Sequence, residues 1–158
     1  MTLPDGVWIA TALLHREQPD RSDFASGEIE ARLRREGITG ALTSASATIS
    51  FDSVANKPAN PGQTRMLYAT DRGRRRLFRS GDEYHPSREG PPERHGTRWM
   101  PRREDIPERY HYLLSWYTDG YSPDPTQKDG ILSLRGLGRG LWADEHPDDY
   151  VRRLRQDW

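Results

Sequence analysis

Apolar positions recur along this chain in short, separated patches, most of them with a helical period. In residues 7–16 (VWIATALLHR), Val7, Ile9, Ala10, Leu13 and Leu14 recur with Trp8 on an adjoining face. This predicts a short helix buried on one broad side, ended by Pro19 and the polar residues 20–23. Residues 26–37 (SGEIEARLRREG) predict a second helix, with Ile29 and Leu33 four apart on its buried face. Ser26 can cap it, Glu28 and Glu30 suit its positive end, Phe24 can staple its start and Gly37 can terminate it. Residues 43–56 (TSASATISFDSVAN) predict a third helix through Ala45, Ile49, Val54 and Ala55, while their β-branched and hydroxyl residues also allow a strand.

The period then changes. After a loop with two prolines at 57–62, residues 65–70 (RMLYAT) and 74–79 (RRRLFR) read as two short strands. Asp71-Arg72-Gly73 between them is a hairpin turn in which glycine can take positive φ. Helix, helix, helix and a basic hairpin is the order of a winged helix-turn-helix, so the expected class is α+β: a winged-helix-like domain with a carboxy-terminal extension.

Residues 80–103 hold four prolines, three glycines and few apolar groups, and read as a linker or irregular arm. Ile106, Tyr110, Leu113, Leu114 and Tyr117 then form a helical stripe, with Tyr112 and Trp116 adding a second aromatic face. Such a helix packs over the first domain or offers a partner surface. Beyond a Pro/Asp loop, residues 131–134 are a strand candidate. Residues 143–158 predict a helix with acidic groups first, basic groups later, and Tyr150, Val151 and Leu154 on its apolar side. The expected division is a domain over 1–79, an arm over 80–103, an aromatic helix over 104–121 and a partner-binding tail over 122–158.

Composition narrows the function classes. The 158 residues are 33% hydrophobic and 30% charged, with no cysteine. Disulfides, thiolate metal sites and thiol nucleophiles are therefore excluded. No run of 18 apolar residues points to a membrane span, and the first residues lack the pattern of a signal peptide, so a cytoplasmic protein is expected. Lysine occurs only at 57 and 128 beside 22 arginines, and arginine is the better fork for phosphate and guanine edges.

The formal net charge is zero, but only as a cancellation. Residues 1–103 carry 17 basic and 13 acidic side chains, a net of +4; residues 104–158 carry 7 and 11, a net of −4. From Lys57 to Arg79, seven cations face only Asp71, a local +6. Such a field attracts polyanions. Lys57, Arg65, Arg72, Arg74, Arg75, Arg76 and Arg79 are accordingly the candidate DNA contacts of the hairpin. Ser44, Ser46, Thr48 and Ser50 are those of the third helix, and Arg32, Arg34 and Arg35 could touch the backbone from the second. Strand alternation sets Arg74 and Arg76 on one face and Arg75 with Leu77 on the other.

Catalytic chemistry finds no constellation. The five histidines have no metal-ligand spacing, and no serine sits in a G-x-S-x-G elbow. Gly136, Gly138 and Gly140 lack the context of a dinucleotide fingerprint. Acidic residues 144–149 are what a helix start requires. No catalytic residue, metal or cofactor is expected.

Two resemblances follow from these stretches. Residues 7–117, with VANKPANPG, RMLYAT and RGRRRLFR, resemble a family of uncharacterised prokaryotic proteins whose amino-terminal region is read as winged-helix-like. The end, ILSLRGLGRGLWADEHPDDYVRRLRQDW, resembles the tail of type II antitoxins, especially those paired with PIN-domain ribonuclease toxins. That resemblance implies a DNA-binding autorepressor whose tail wraps a toxin. Arg135 or Arg139 would be offered to the toxin's carboxylates, and Leu137, Leu141, Trp142, Tyr150, Val151 and Leu154 would be the apolar anchors. The expected partners are double-stranded DNA, a cognate toxin and a second copy of the chain. The alternative class is a protein-interaction or scaffold module that does not touch nucleic acid.

Overall fold

A computed structural model describes residues 1–38, 42–58, 64–90 and 97–122, all within one compact unit that runs from Met1 to Pro123. The tail residues Arg135, Leu137, Arg139, Leu141, Trp142, Tyr150, Val151 and Leu154 lie outside the described residues.

The first helix, α1 (Leu3–Glu17), begins four residues earlier than the apolar pattern alone predicts. Thr2 and Asp5 form a reciprocal cap: the Thr2 amide donates to Asp5 Oδ2 at 2.8 Å, and Thr2 Oγ1 accepts from the Asp5 amide at 3.4 Å. Pro4 sits in the first turn, where its missing N–H costs nothing. Every residue from Asp5 to His15 is buried. The helix is enclosed rather than buried on one side, because α2, the sheet and the aromatic helix all pack against it.

Strand β1 (Phe24–Ala25) lies between the first two helices and pairs antiparallel with β3. It changes the start of α2 (Ser26–Arg35). Ser26 does not cap the helix; its amide and its hydroxyl both donate to the Gly73 carbonyl, at 2.9 and 3.1 Å. Glu28 instead reaches back to accept from the Ala25 amide at 2.8 Å. The other end follows the expectation. Gly37 has φ +68°, its amide donates to Arg34 O, and the Ile38 amide donates to Leu33 O. This pair of bonds, with apolar Ile38 after the glycine, is a Schellman termination.

The third helix is split. A short α3 (Leu42–Ala47) runs into a π-helical turn, Thr48–Asp52. Strands β2 (Leu67–Asp71) and β3 (Arg74–Leu77) form the hairpin, with Gly73 at φ +73° and a bulge between Ala69 and Asp71. The sheet is antiparallel in the order β1-β3-β2. The plain helix–helix–helix–hairpin order is thus interrupted by a strand between α1 and α2, and that strand covers one side of β3.

Residues 97–122 belong to the same packing. After 3-10 turns at Arg103–Asp105 and Glu108–Tyr110, α4 (His111–Trp116) continues into a second π-helical turn, Tyr117–Tyr121. Ile106, Tyr110, Leu113, Leu114 and Tyr117 join Val7, Trp8, Phe24, Ile29, Leu33 and Leu77 in one core cluster. Tyr117 meets Trp8 edge-on at 5.5 Å, and its hydroxyl donates to Phe78 O at 2.6 Å. Among the described residues no helix is long and apolar enough to cross a membrane.

Candidate functional site

The hairpin carries the densest run of cations, and strand alternation decides where each one goes. Arg75 and Leu77 point inward and are buried, while Arg74 and Arg76 are half-exposed on the other face. Arg75 is only 3% exposed. Its guanidinium donates to the carbonyls of Ile49 (3.1 Å) and Ser50 (3.2 Å) in the π-helical turn, and to those of Asp71 and Arg74 in its own hairpin. A π-helical turn leaves carbonyls pointing past its end, and here a cation satisfies them. Burial lowers the Arg75 pKa from its ordinary value.

The remaining candidates divide between paired and free. Arg74 is held by Asp23, its Nε donating to Oδ1 at 2.7 Å. These bonds, with another from Thr70, keep the Asp23 carboxyl below the usual carboxylate range. Arg76 forms a two-pronged pair with Asp82 at 2.6 and 2.7 Å and lies over the Tyr68 ring. Arg65 is 4% exposed, between the rings of Tyr84 and Trp99, and donates to Arg88 O and Gly90 O. Lys57 donates to Ser50 O and lies over Phe51, and burial lowers its pKa. Thr48 is buried, Ser50 is half-buried and Ser46 is exposed; Ser44 lies in α3. Arg72, at the turn, and Arg79, just past β3, are exposed. The +6 stretch therefore does not act as seven free charges: Asp23 and Asp82 neutralise two of them, and Arg65 and Arg75 are interior.

A second grouping escaped the sequence reading. His15 and Arg16 close α1, Pro19 and Arg21 follow it, Arg79 leaves β3, and Trp116, Gly120 and Tyr121 come from the end of α4 and its π-helical turn. Together they line a cleft of about 340 Å³. His15 is 4% exposed and packs against Phe24 and Tyr121 at centroid distances of 4.9 and 4.8 Å. One ring nitrogen bonds to the Arg21 backbone. That leaves Nε2, 3.2 Å from Tyr121 Oη, to accept the phenol proton. Burial first, and the Arg79 charge second, push the His15 pKa down to about 4, so the imidazole is neutral at pH 7.

The guanidiniums of the cleft differ in their freedom. Arg21 is committed to Glu28 through bonds of 2.7 and 2.9 Å. Arg16 and Arg79 instead lie over the rings of Tyr112 (4.6 Å) and Tyr121 (4.5 Å). Among the described residues neither pairs with a carboxylate. The hairpin run offered a signal for Arg79; nothing local marks His15, Arg16 and Tyr121 as neighbours, because they meet only through tertiary packing. Among the described residues no group of three or more His, Asp or Glu is placed to hold a metal ion.

Comparison with known protein families, curated proteins and solved structures finds no match to this chain.

Proposed function

We propose that the chain is a non-catalytic, cytoplasmic DNA-binding protein of the antitoxin–autorepressor kind. It would contact duplex phosphates through the hairpin and a protein partner through residues 122–158. The observation that carries the DNA reading is the hairpin turn. Arg72 is exposed beside Gly73, with Arg74 next to it, and the turn is braced by the Ser26 bonds to Gly73 and by the buried Arg75 beneath. A stiff turn tipped with arginine suits phosphate contact or insertion into a minor groove. Ser46 on α3 and Arg34 and Arg35 on α2 are exposed and can add contacts. Arg65, Arg75 and Thr48 serve the reading by holding the hairpin and the π-helical turn in place.

The tail part rests on sequence. Arg135 and Arg139 would meet a toxin's carboxylates and Leu137, Leu141, Trp142, Tyr150, Val151 and Leu154 would be the anchors, a PIN-type ribonuclease being the toxin class.

Fluorescence anisotropy with a duplex from the chain's own upstream region tests the DNA reading. Binding should fall steeply between ~50 and ~200 mM salt. Arg72→Ala combined with Arg74→Ala should weaken binding about equally on all sequences and flatten the salt slope. A chain that binds no duplex at ~50 mM salt yet still captures a protein through its tail is the interaction module instead.

A further inference from the structure

We infer that the cleft between the end of α1, the end of β3 and the π-helical turn after α4 is a binding site for a phosphate monoester on a ligand of mononucleotide size. The argument starts from charge. Arg16 and Arg79 line one cavity without a carboxylate partner among the described residues; their guanidinium carbons lie over the rings of Tyr112 and Tyr121, and Arg79 also hydrogen-bonds the Tyr121 side chain. A guanidinium carries more N–H donors than such contacts use, and its planar fork matches two phosphate oxygens. The carboxylates around this grouping are each taken by another guanidinium, Glu28 by Arg21, Asp23 by Arg74 and Asp82 by Arg76, so they compete little for the Arg16 and Arg79 side chains.

The other walls set the size and nature of the ligand. A cavity of about 340 Å³ is larger than a bare phosphate needs and falls at the lower end of small-ligand sites. Pro19 and the half-buried Trp116 give it an apolar wall, and an indole is the side chain best suited to receive a flat heteroaromatic ring. Trp116 is braced from behind by Tyr121 at 5.1 Å, and Tyr121 by His15 and Tyr117. His15 is neutral and fully bonded, so it contributes rigidity and leaves the positive field to the arginines.

The phosphate could belong to a free mononucleotide or to the 5′ end of a nucleic-acid strand. Isothermal titration of the full chain at pH 7 with adenosine 5′-monophosphate, adenosine, inorganic phosphate and a short single strand, with and without its 5′-phosphate, tests the site. The monophosphate should bind, inorganic phosphate should bind more weakly, and adenosine should not bind. Arg16→Gln and Arg79→Gln should each weaken monophosphate binding about tenfold or more, as loss of a charge-assisted bond requires. Arg103→Ala, at an exposed position outside the cleft, should leave it unchanged. Binding of the 5′-phosphorylated strand over its 5′-hydroxyl form assigns the site to strand ends; binding of the monophosphate alone assigns it to free nucleotides. The site is refuted if no phosphorylated probe binds, if adenosine binds as well as its monophosphate, or if both glutamine variants bind like the parent. Arg16 contributes no core packing, so its variant keeps the test open should loss of Arg79 from Tyr121 disturb the fold. None of these readouts depends on duplex binding by the hairpin.

Discussion

Among the described residues, Arg32, Arg65, Arg75, Arg88 and Arg98 are buried, and their guanidiniums act as internal braces rather than surface charges. Arg88 shows it most fully: 1% exposed, it donates to the carbonyls of Phe51, Asp52, Lys57, Pro58 and Thr64, gathering the end of the first π-helical turn and the loop that follows. Burial pulls its pKa down to about 10, still high enough for the charge to persist at neutral pH. His15 is the reverse case, a titratable group buried neutral. Its folded pKa of about 4 lies below the ordinary 6.5, so the unfolded chain binds the extra proton first. Stability should therefore fall as pH drops from about 6.5 towards 4, by up to about 3 kcal/mol. Denaturant melts of the parent and His15→Gln across that range measure this. The glutamine variant should start lower at pH 7, and the gap should close as the pH falls; parallel curves would show that His15 does not titrate this way.

At the scale of elements, the helices follow local rules until something else bids for their ends. Gly37 terminates α2 through a positive φ that its sequence position already suggests. Ser26 has the right chemistry for a cap but is drawn to the Gly73 carbonyl of the hairpin, 47 residues away. Nothing in residues 26–37 could show that competition. In α1, Gly6 reads from sequence as a poor helix former, yet it answers a packing constraint. A Cβ placed there would lie 2.5 Å from Ile38 Cγ2, a branched and buried neighbour with little room to turn. Gly6→Ala gains up to ~1 kcal/mol of helix propensity and meets an overpacking cost of ~1–3 kcal/mol. The expected result is a net loss of ~1 kcal/mol or more in chemical denaturation, and in an Ile38→Ala background the same Gly6→Ala change should no longer destabilise.

At the scale of the whole molecule, one buried ion bridge ties the later segment to the start of the chain. Asp5, fully buried in the first turn of α1, accepts from Arg98 at 2.7 Å, and Arg98 also reaches Asp105 at 2.5 Å. Arg65 adds a second tie, its amide donating to Arg98 O. With Tyr110, Leu113 and Tyr117 in the core cluster, residues 97–122 should melt together with α1 rather than as a detachable arm. Arg98→Met leaves the Asp5 carboxylate buried without its cation and should cost ~3–5 kcal/mol. Asp5→Asn combined with Arg98→Met should recover part of that loss. Two separate unfolding steps in the parent protein, one from the aromatic fluorescence of residues 97–122 and one from helix circular dichroism, would contradict the single cooperative unit.

The sequence by itself determined whatever depends on neighbours a few residues apart. Helical spacing marked α1, α2 and the aromatic stripe, a glycine marked the end of α2, and alternation put Arg75 on the face of Leu77 and Arg74 opposite. What only the tertiary structure decided is which cations remain available. Asp23 for Arg74, the Ile49 and Ser50 carbonyls for Arg75 and the Glu28 carboxylate for Arg21 are each supplied by another element or turn of the chain. A guanidinium that meets such acceptors is neutralised or drawn inward, and folding alone brings the acceptors in. Counting charge along the chain therefore located a basic hairpin. Packing reduced it to a braced turn tipped by Arg72 and carried Arg79 to a cleft with Arg16 that no linear stretch contains.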